Sequence, residues 1–219
     1  TRPEKSIGSD EMWARAEGAL RNVREHEGID YQLNPGDGAF YGPKIDFAVT
    51  DAIGRKWQCA TIQLDYQLPE RFNLRYVGAD NGEHRPVVIH RAIFGSFERF
   101  VALLIEHYAG AFPLWCAPLQ VMVLPIADRH LAFCESVRDR LAAAGLRVEL
   151  DGRQEKIGYK IREAQLQKVP YMLVAGDREA EQGTVAVRTR TGGDQGARPV
   201  DEFVAAALEE IRTKGKNVG

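Results

Sequence analysis

Apolar residues recur at three- and four-residue spacing through residues 9–27, at Trp13, Ala16, Leu20 and Val23. That period gathers them on one side of a helix. Ser9 suits its N-cap, Asp10 and Glu11 its first turn, and Gly28 its end. A turn-rich stretch follows, NPGDGAFYGP (34–43). A plain surface loop is one reading of it. A binding loop is the other, because Phe40 and Tyr41 are costly to expose. The pattern then alternates: in KIDFAV (44–49), Ile45, Phe47 and Val49 share a face. A turn at TDAIG leads into KWQCATIQL (56–64), and the short connection makes the two strands an antiparallel pair. PVVIH (86–90) reads as a third strand. A helix runs from Ser96 to Tyr108, with Phe97, Phe100, Leu103 and Leu104 on its inner side.

AGAFPLWCAP (109–118) breaks the pattern and reads as a domain boundary, dividing the chain into 1–115 and 116–219. Beyond it strands and helices alternate. QVMVLPI (120–126) is a continuous apolar strand of the kind buried on both faces. Residues 129–144 read as a helix, RVELD as a strand and 155–167 as a helix. YMLVAG (171–176) and TVAVRT (184–189) read as strands, and 201–215 as a closing helix. The fold class is therefore α/β with α+β: an antiparallel sheet with helices first, then an α/β domain with a mixed, mainly parallel sheet. Neither G-x-G-x-x-G nor G-x-x-x-x-G-K-[ST] occurs, so the common phosphate loops are absent.

Composition changes this picture little. The chain has 219 residues, with 44% hydrophobic and 27% charged residues, as in ordinary globular domains. Its formal net charge is −2, so no global basic field announces a polyanion partner. The half before Pro118 is slightly acidic and the half after it slightly basic. Cys59, Cys116 and Cys134 are odd in number and far apart, which argues against a disulfide framework and fits a reducing cytoplasm. No apolar run is long enough for a membrane span. The chain opens at Thr1 in a polar segment, as a piece of a longer polypeptide would.

The densest chemistry lies in HRAIFGSFERF (90–100), a strand passing through Gly95 and Ser96 into a helix. A helix N-terminus offers free N–H groups and a positive dipole end to an anion. Gly95 allows close backbone approach, and Arg99 in the first turn can grip a phosphate with two hydrogen bonds. Pairing of Arg99 with a surface carboxylate is the competing reading. A histidine at a strand end, such as His90, is more often a polar cap than a ligand. Gln58 and Gln63 stand an odd number of positions apart, so a regular strand points them to opposite faces. A bulge or a strand end between them would lift that conflict. Cys59 reads as packing.

The strand–glycine–helix ending in Glu98-Arg99-Phe100 resembles motif 3 of class II aminoacyl-tRNA synthetases. GAFYGPKIDF, WQCATIQLDYQLPERFNLRYVG, PVVIHRAIFGSFERF, DGRQEKIGYKIREAQLQKVPYMLVAGDRE and VAVRTR together resemble bacterial threonyl-tRNA synthetases over essentially the whole chain. The resemblance implies ATP-dependent activation of threonine, with Mg2+, and transfer to threonine tRNA by a cytoplasmic homodimer with no membrane association. Arg99 would act on the ATP phosphates, with Gly95 and Ser96 in the ATP site, and Lys44, the second catalytic candidate, would line the substrate pocket with Tyr41. Gln58, Thr61 and Gln63 would lie around the nucleotide and amino acid. His90 would be one of three protein ligands of a Zn2+ that reads the amino acid. Direct binding of the hydroxyl would reject valine, which has the shape but not the ligand.

Several family parts have no counterpart: motif 1, motif 2, the editing region, and the Cys and His that complete the zinc site. The expectation is a fragment that by itself neither activates threonine nor binds zinc well, and whose cut sheet exposes apolar faces and an open edge. The second domain would bind the anticodon, with Asp128, Gln154, Lys156, Glu179 and Arg188 as candidate readers. Arg188 leads, since a guanidinium reads a guanine edge with two bonds and threonine anticodons carry a central G. Lys156, Lys160, Arg162 and Lys168 on one helix would meet phosphates or form a solvated face. The rivals are another synthetase of the subgroup (prolyl, histidyl or glycyl) and a non-catalytic tRNA-binding paralogue.

Overall fold

The computed structural model describes residues 1–215. Its packing separates two units, Thr1–Ala102 and Leu103–Gly219. The first begins with α1 (Asp10–His26), which Ser9 caps by accepting the Met12 N–H at 3.2 Å. Trp13 and Ala16 are buried, while Val23 is exposed. Then come β1 (Lys44–Thr50), β2 (Lys56–Asp65), the short α2 (Gln67–Arg71), a small hairpin of β3 (Tyr76–Val77) and β4 (Glu83–His84), and β5 (Val88–Ala92). An antiparallel sheet of order β1-β2-β5 results, with β2 at its centre. The third strand lies two residues later than the sequence pattern predicts.

One expectation about a buried face turns out differently. The helix α3 (Phe97–Tyr108) buries none of its residues, and Phe97 is 80% exposed. Periodicity identifies which residues share a face but not what that face meets: Phe97 is exposed, while Phe100, stacked on Phe94, Leu103 and Leu104 are only partly covered. The face of β1 and β5 that carries Phe47, Val49 and Ile89 is exposed as well.

The second unit runs β6 (Val121–Pro125), α4 (Leu131–Ala143), β7 (Val148–Leu150), α5 (Ile157–Leu166), β8 (Tyr171–Ala175), α6 (Asp177–Gln182), β9 (Thr184–Thr189), β10 (Gly193–Pro199) and α7 (Val200–Thr213). The sheet order is β10-β9-β8-β6-β7. It is parallel over β7-β6-β8 and antiparallel over β8-β9-β10. All five residues of β6 are buried, as a strand covered on both faces should be. One face packs Val121, Val123, Leu173, Val185 and Val187 against α4 and α7. The other packs Met122, Leu124, Met172 and Val174 against Ala164 and Ile161 of α5. One helix covers the second face where two cover the first, and it sits on β6 and β8. At the β9–β10 end of that face Asp194 is exposed, while Thr184, Ala186 and Arg188 are partly buried.

Candidate functional site

In the first unit a β-bulge assembles the candidate residues. Phe47 pairs with Ala60, but Ala48 pairs with Gln58, so Cys59 is an extra residue in β2. The bulge removes the parity conflict. Gln58 now shares a face with Ala48 and Asp46, while Thr61 pairs with Asp46 and Gln63 with Lys44. Across the other edge of β2, Gln63 pairs with His90. Lys44, Gln58, Thr61, Gln63 and His90 thus line one side of the sheet. Cys59 is buried packing.

Loop 34–43 closes one end of this face. Tyr41 Oη donates to Gln63 Oε1, and the Tyr41 ring lies 5.3 Å from the His90 ring. Tyr41, Phe40, His90, Asp65 and residues of α2 border a cleft of about 210 Å³. Burial, and then the nearby Asp65 charge, raise the Tyr41 pKa, so the phenol stays protonated. Lys44 Nζ lies 2.8 Å from Asp46 and 3.5 Å from Asp37. Its half-burial works against the charge, but the two carboxylates outweigh it and raise the pKa. The ammonium therefore persists at neutral pH. Thr61 Oγ1 is buried and has no hydrogen-bond partner among the described residues.

At the other end, Gly95 takes φ +73°, and a Cβ there would stand 3.1 Å from the Cys59 carbonyl oxygen. Glycine is what lets the turn lie against the bulge. Ser96 Oγ accepts the Arg99 N–H at 3.2 Å, so Ser96 caps α3. Arg99 Nη1 donates to the Gln58 carbonyl at 3.0 Å. An exposed guanidinium is thereby anchored beside the candidate face with most of its donors free.

Sequence reasoning missed Asp65. Its carboxylate is 1% exposed. Oδ1 accepts the Gln67 and Leu68 N–H groups at 2.8 and 3.0 Å, and Oδ2 lies 2.9 Å from His90 Nε2. Burial pushes its pKa up, but the hydrogen bonds from His90 and the two amides win and hold it down. An acid ending an apolar strand just before a helix was the available signal. Among the described residues no three His, Cys, Asp or Glu side chains gather as metal ligands would. A protein zinc site needs three or four such donors. The residues present, His90 foremost, do not make one alone.

In the second unit the first two candidate readers meet. Connections from the adjacent strands β6 and β7 lead to helices on opposite faces, which opens a crevice at their carboxyl ends. Gln154 Nε2 donates to Asp128 Oδ2 across it at 2.8 Å. Lys156, exposed, stands at the N-cap of α5. Glu179 is occupied in α6, where its Oε2 accepts the Gly176 N–H at 3.0 Å. Arg188 lies elsewhere: it pairs with Met172 near the start of β8, at the β9–β10 end of the sheet. β9 is an internal strand; β10 is the edge.

Lys160 is not a phosphate contact. It is 3% exposed, and its Nζ donates to the Asp151 and Pro125 carbonyls at 3.0 and 3.2 Å. A buried ammonium pins the ends of β6 and β7 beneath the crevice. Arg162 and Lys168 are exposed, with Lys168 beyond the end of α5.

The loop after β6 is tied to the start of α6. Arg129 grips Asp177 with two bonds of 2.7 Å. His130 Nδ1 accepts the Ala127 N–H at 3.2 Å, so its Nε2 donates to Asp177 Oδ1 at 2.8 Å. Arg129 first, then His130, hold the Asp177 carboxyl well below the usual carboxylate range. A depressed folded value stabilises fully above the unfolded pKa of about 3.9 and is lost as pH falls through the folded value. Asp177→Asn is therefore expected to melt earlier than the parent at neutral pH. The gap should close as pH drops below about 4. Thermal melts at several pH values check this, and a gap independent of pH would contradict it.

The family described as "tRNA synthetase class II core domain (G, H, P, S and T)" matches residues 6–108. The family described as "Anticodon binding domain" matches residues 120–210. A threonine–tRNA ligase of Desulforamulus reducens is 62% identical over 214 residues, covering 98% of this chain and 34% of that protein. The chain belongs to the threonyl-tRNA synthetase family. It spans about a third of the length of the curated relatives it matches. A crystal structure of the RNA binding domain of threonyl-tRNA synthetase from Cryptosporidium parvum superposes with a TM-score of 0.90 at 43% identity, over 95% of this chain and 53% of that one. The crystal structure of the putative threonyl-tRNA synthetase ThrRS-1 from Aeropyrum pernix gives a TM-score of 0.70 at 30% identity, over 98% of this chain and 52% of that one. In this family frame, the bulged face belongs to the synthetase core and the β9–β10 sheet end to the anticodon-binding domain.

Proposed function

We propose that this chain is the portion of a threonine–tRNA ligase that supplies one wall of the adenylate site and the anticodon grip. The observation that carries the reading is the Cys59 bulge. It gathers Lys44, Gln58, Thr61, Gln63 and His90 on one face and anchors Arg99 at its end. Adenylate formation brings a carboxylate to the α-phosphate of ATP with its Mg2+, and fixed cations lower the barrier between two anions. Arg99 takes the phosphates, helped by Lys44, with the turn at Gly95 and Ser96 keeping the backbone close. Tyr41, Gln63 and Thr61 orient threonine, and Gln58 borders the nucleotide. A zinc ion would require ligands beyond His90.

The working domains run 1–115 and 116–219, in a cytoplasmic homodimer. In the second, Arg188 reads the central anticodon guanine, and Asp128, Gln154, Lys156 and Glu179 meet neighbouring nucleotides around the crevice and α6. The partly exposed Arg188 beside the exposed Asp194 supports this, because a splayed single-stranded base must reach the donors that read it. The test is binding of the anticodon stem-loop of threonine tRNA against the same loop with its central G changed. A preference for G that falls about tenfold or more in Arg188→Ala supports the reading. Equal binding of both loops, sensitive only to salt, would sink it and favour a paralogue that holds phosphates alone.

A further inference from the structure

We propose that Asp194 is the positioning residue for Arg188, holding its guanidinium toward a base edge and away from phosphate. The proposal rests on the reading of Arg188 as an anticodon contact. Arg188 and Asp194 are directly opposed across β9 and β10, so their side chains rise from the same face. Arg188 Nη1 lies 3.3 Å from Asp194 Oδ2. Asp194 is itself fixed, since its Oδ1 accepts the Gly196 N–H at 2.9 Å inside the register shift between Asp194 and Ala197. One carboxylate thus bridges a bulged backbone and a guanidinium. Arg188 Nε is buried without a partner among the described residues, so Asp194 supplies the hydrogen bond that orients the head of this side chain.

Two effects follow from this arrangement. A long arginine side chain samples many rotamers, and a fixed carboxylate removes most of them before the ligand arrives, leaving the remaining Nη donors in one plane. The carboxylate also cancels much of the positive field at this point. A phosphate is then attracted weakly, while a neutral guanine edge, which needs aligned donors rather than net charge, is not penalised. Loss of Asp194 should therefore weaken discrimination and strengthen generic attraction together. A merely structural role would lower both.

The experiment measures binding of the G-containing and G-changed stem-loops by the parent, Arg188→Ala, Asp194→Ala, Asp194→Asn and the double alanine variant, across salt concentrations. Asp194→Ala is expected to lose about tenfold of the preference for G. Its affinity for the changed loop should hold or rise, and its salt dependence should steepen by about one phosphate contact. Asp194→Asn keeps a single acceptor oxygen, enough for Gly196 or Arg188 but not both, and removes the charge, so it should retain only part of the preference while showing the steeper salt dependence. The double variant should discriminate no worse than Arg188→Ala. Discrimination intact in Asp194→Ala but lost in Arg188→Ala overturns the inference and spares the reading of Arg188. Discrimination intact in Arg188→Ala overturns both. Thermal melts identify any variant that fails to fold, and Asp194→Asn then decides through its salt dependence.

Discussion

Gly42→Ala is expected to destabilise the first unit by about 3 kcal/mol or more, the upper end of what one inserted methyl costs in a packed site. A Cβ at Gly42 would stand 1.8 Å from the Leu64 carbonyl oxygen and 2.9 Å from its carbonyl carbon. Both atoms belong to the backbone of β2, so no side chain can swing aside. The strand is also tied at this point, because Leu64 N–H donates to the Pro43 carbonyl at 3.1 Å. Relief requires the loop to lift. Lifting pulls Tyr41 from Gln63 and opens the cleft beside Asp65 and His90, so the substitution damages the candidate site and the fold together. Hydrogen exchange of β2 amides is the measurement, with acceleration of about a hundredfold expected from that free energy. Gly18→Ala is the internal control. That residue lies in α1 with nothing within 4 Å of its added Cβ, so it should be neutral or stabilise by up to about 1 kcal/mol. Equal exchange in Gly42→Ala and the parent would refute the close-approach argument.

Arg99→Ala, placed in a full-length enzyme, is expected to reduce threonine-dependent ATP–pyrophosphate exchange by about 10²–10³-fold, the usual loss when one preorganised donor to a developing charge is removed. The side chain stands at the end of the bulged face with Nη1 on the Gln58 carbonyl, and its own N–H is bound by Ser96. It arrives oriented, which is what distinguishes it from an ordinary solvated arginine. Arg99→Lys should recover only part of the rate, because an ammonium cannot hold the Gln58 carbonyl and grip a phosphate with two bonds at once. Anticodon stem-loop binding should stay unchanged in both variants. Exchange within a fewfold of the parent would remove Arg99 from the phosphate site.

Much was legible along the chain because it is local. The period of α1 predicts the burial of Trp13 and Ala16. The unbroken apolar run at 120–126 predicts β6, buried throughout. The turn at Gly95 and Ser96 and the cap on α3 follow from residues within a few positions of one another. Motif wording carried the family. The odd spacing of Gln58 and Gln63 exposed a conflict, yet nothing in the spacing chose between a bulge and a strand end.

Elements without a hydrophobic period stayed invisible. β10 (GDQGARP) is polar and glycine-rich and becomes a strand only because β9 offers it a ladder. The small β3–β4 hairpin, α2 and α6 are too short for a period to register. The sequence by itself determined which residues share a face, where helices begin, and which family the chain resembles. Only the tertiary structure decided that Cys59 bulges, that Lys160 is a buried clamp, that Asp65 meets His90 and that Asp194 meets Arg188. Periodicity is a property of neighbours, whereas register, burial of a charge and the partner of a side chain are set by segments far apart in the chain that meet only after folding.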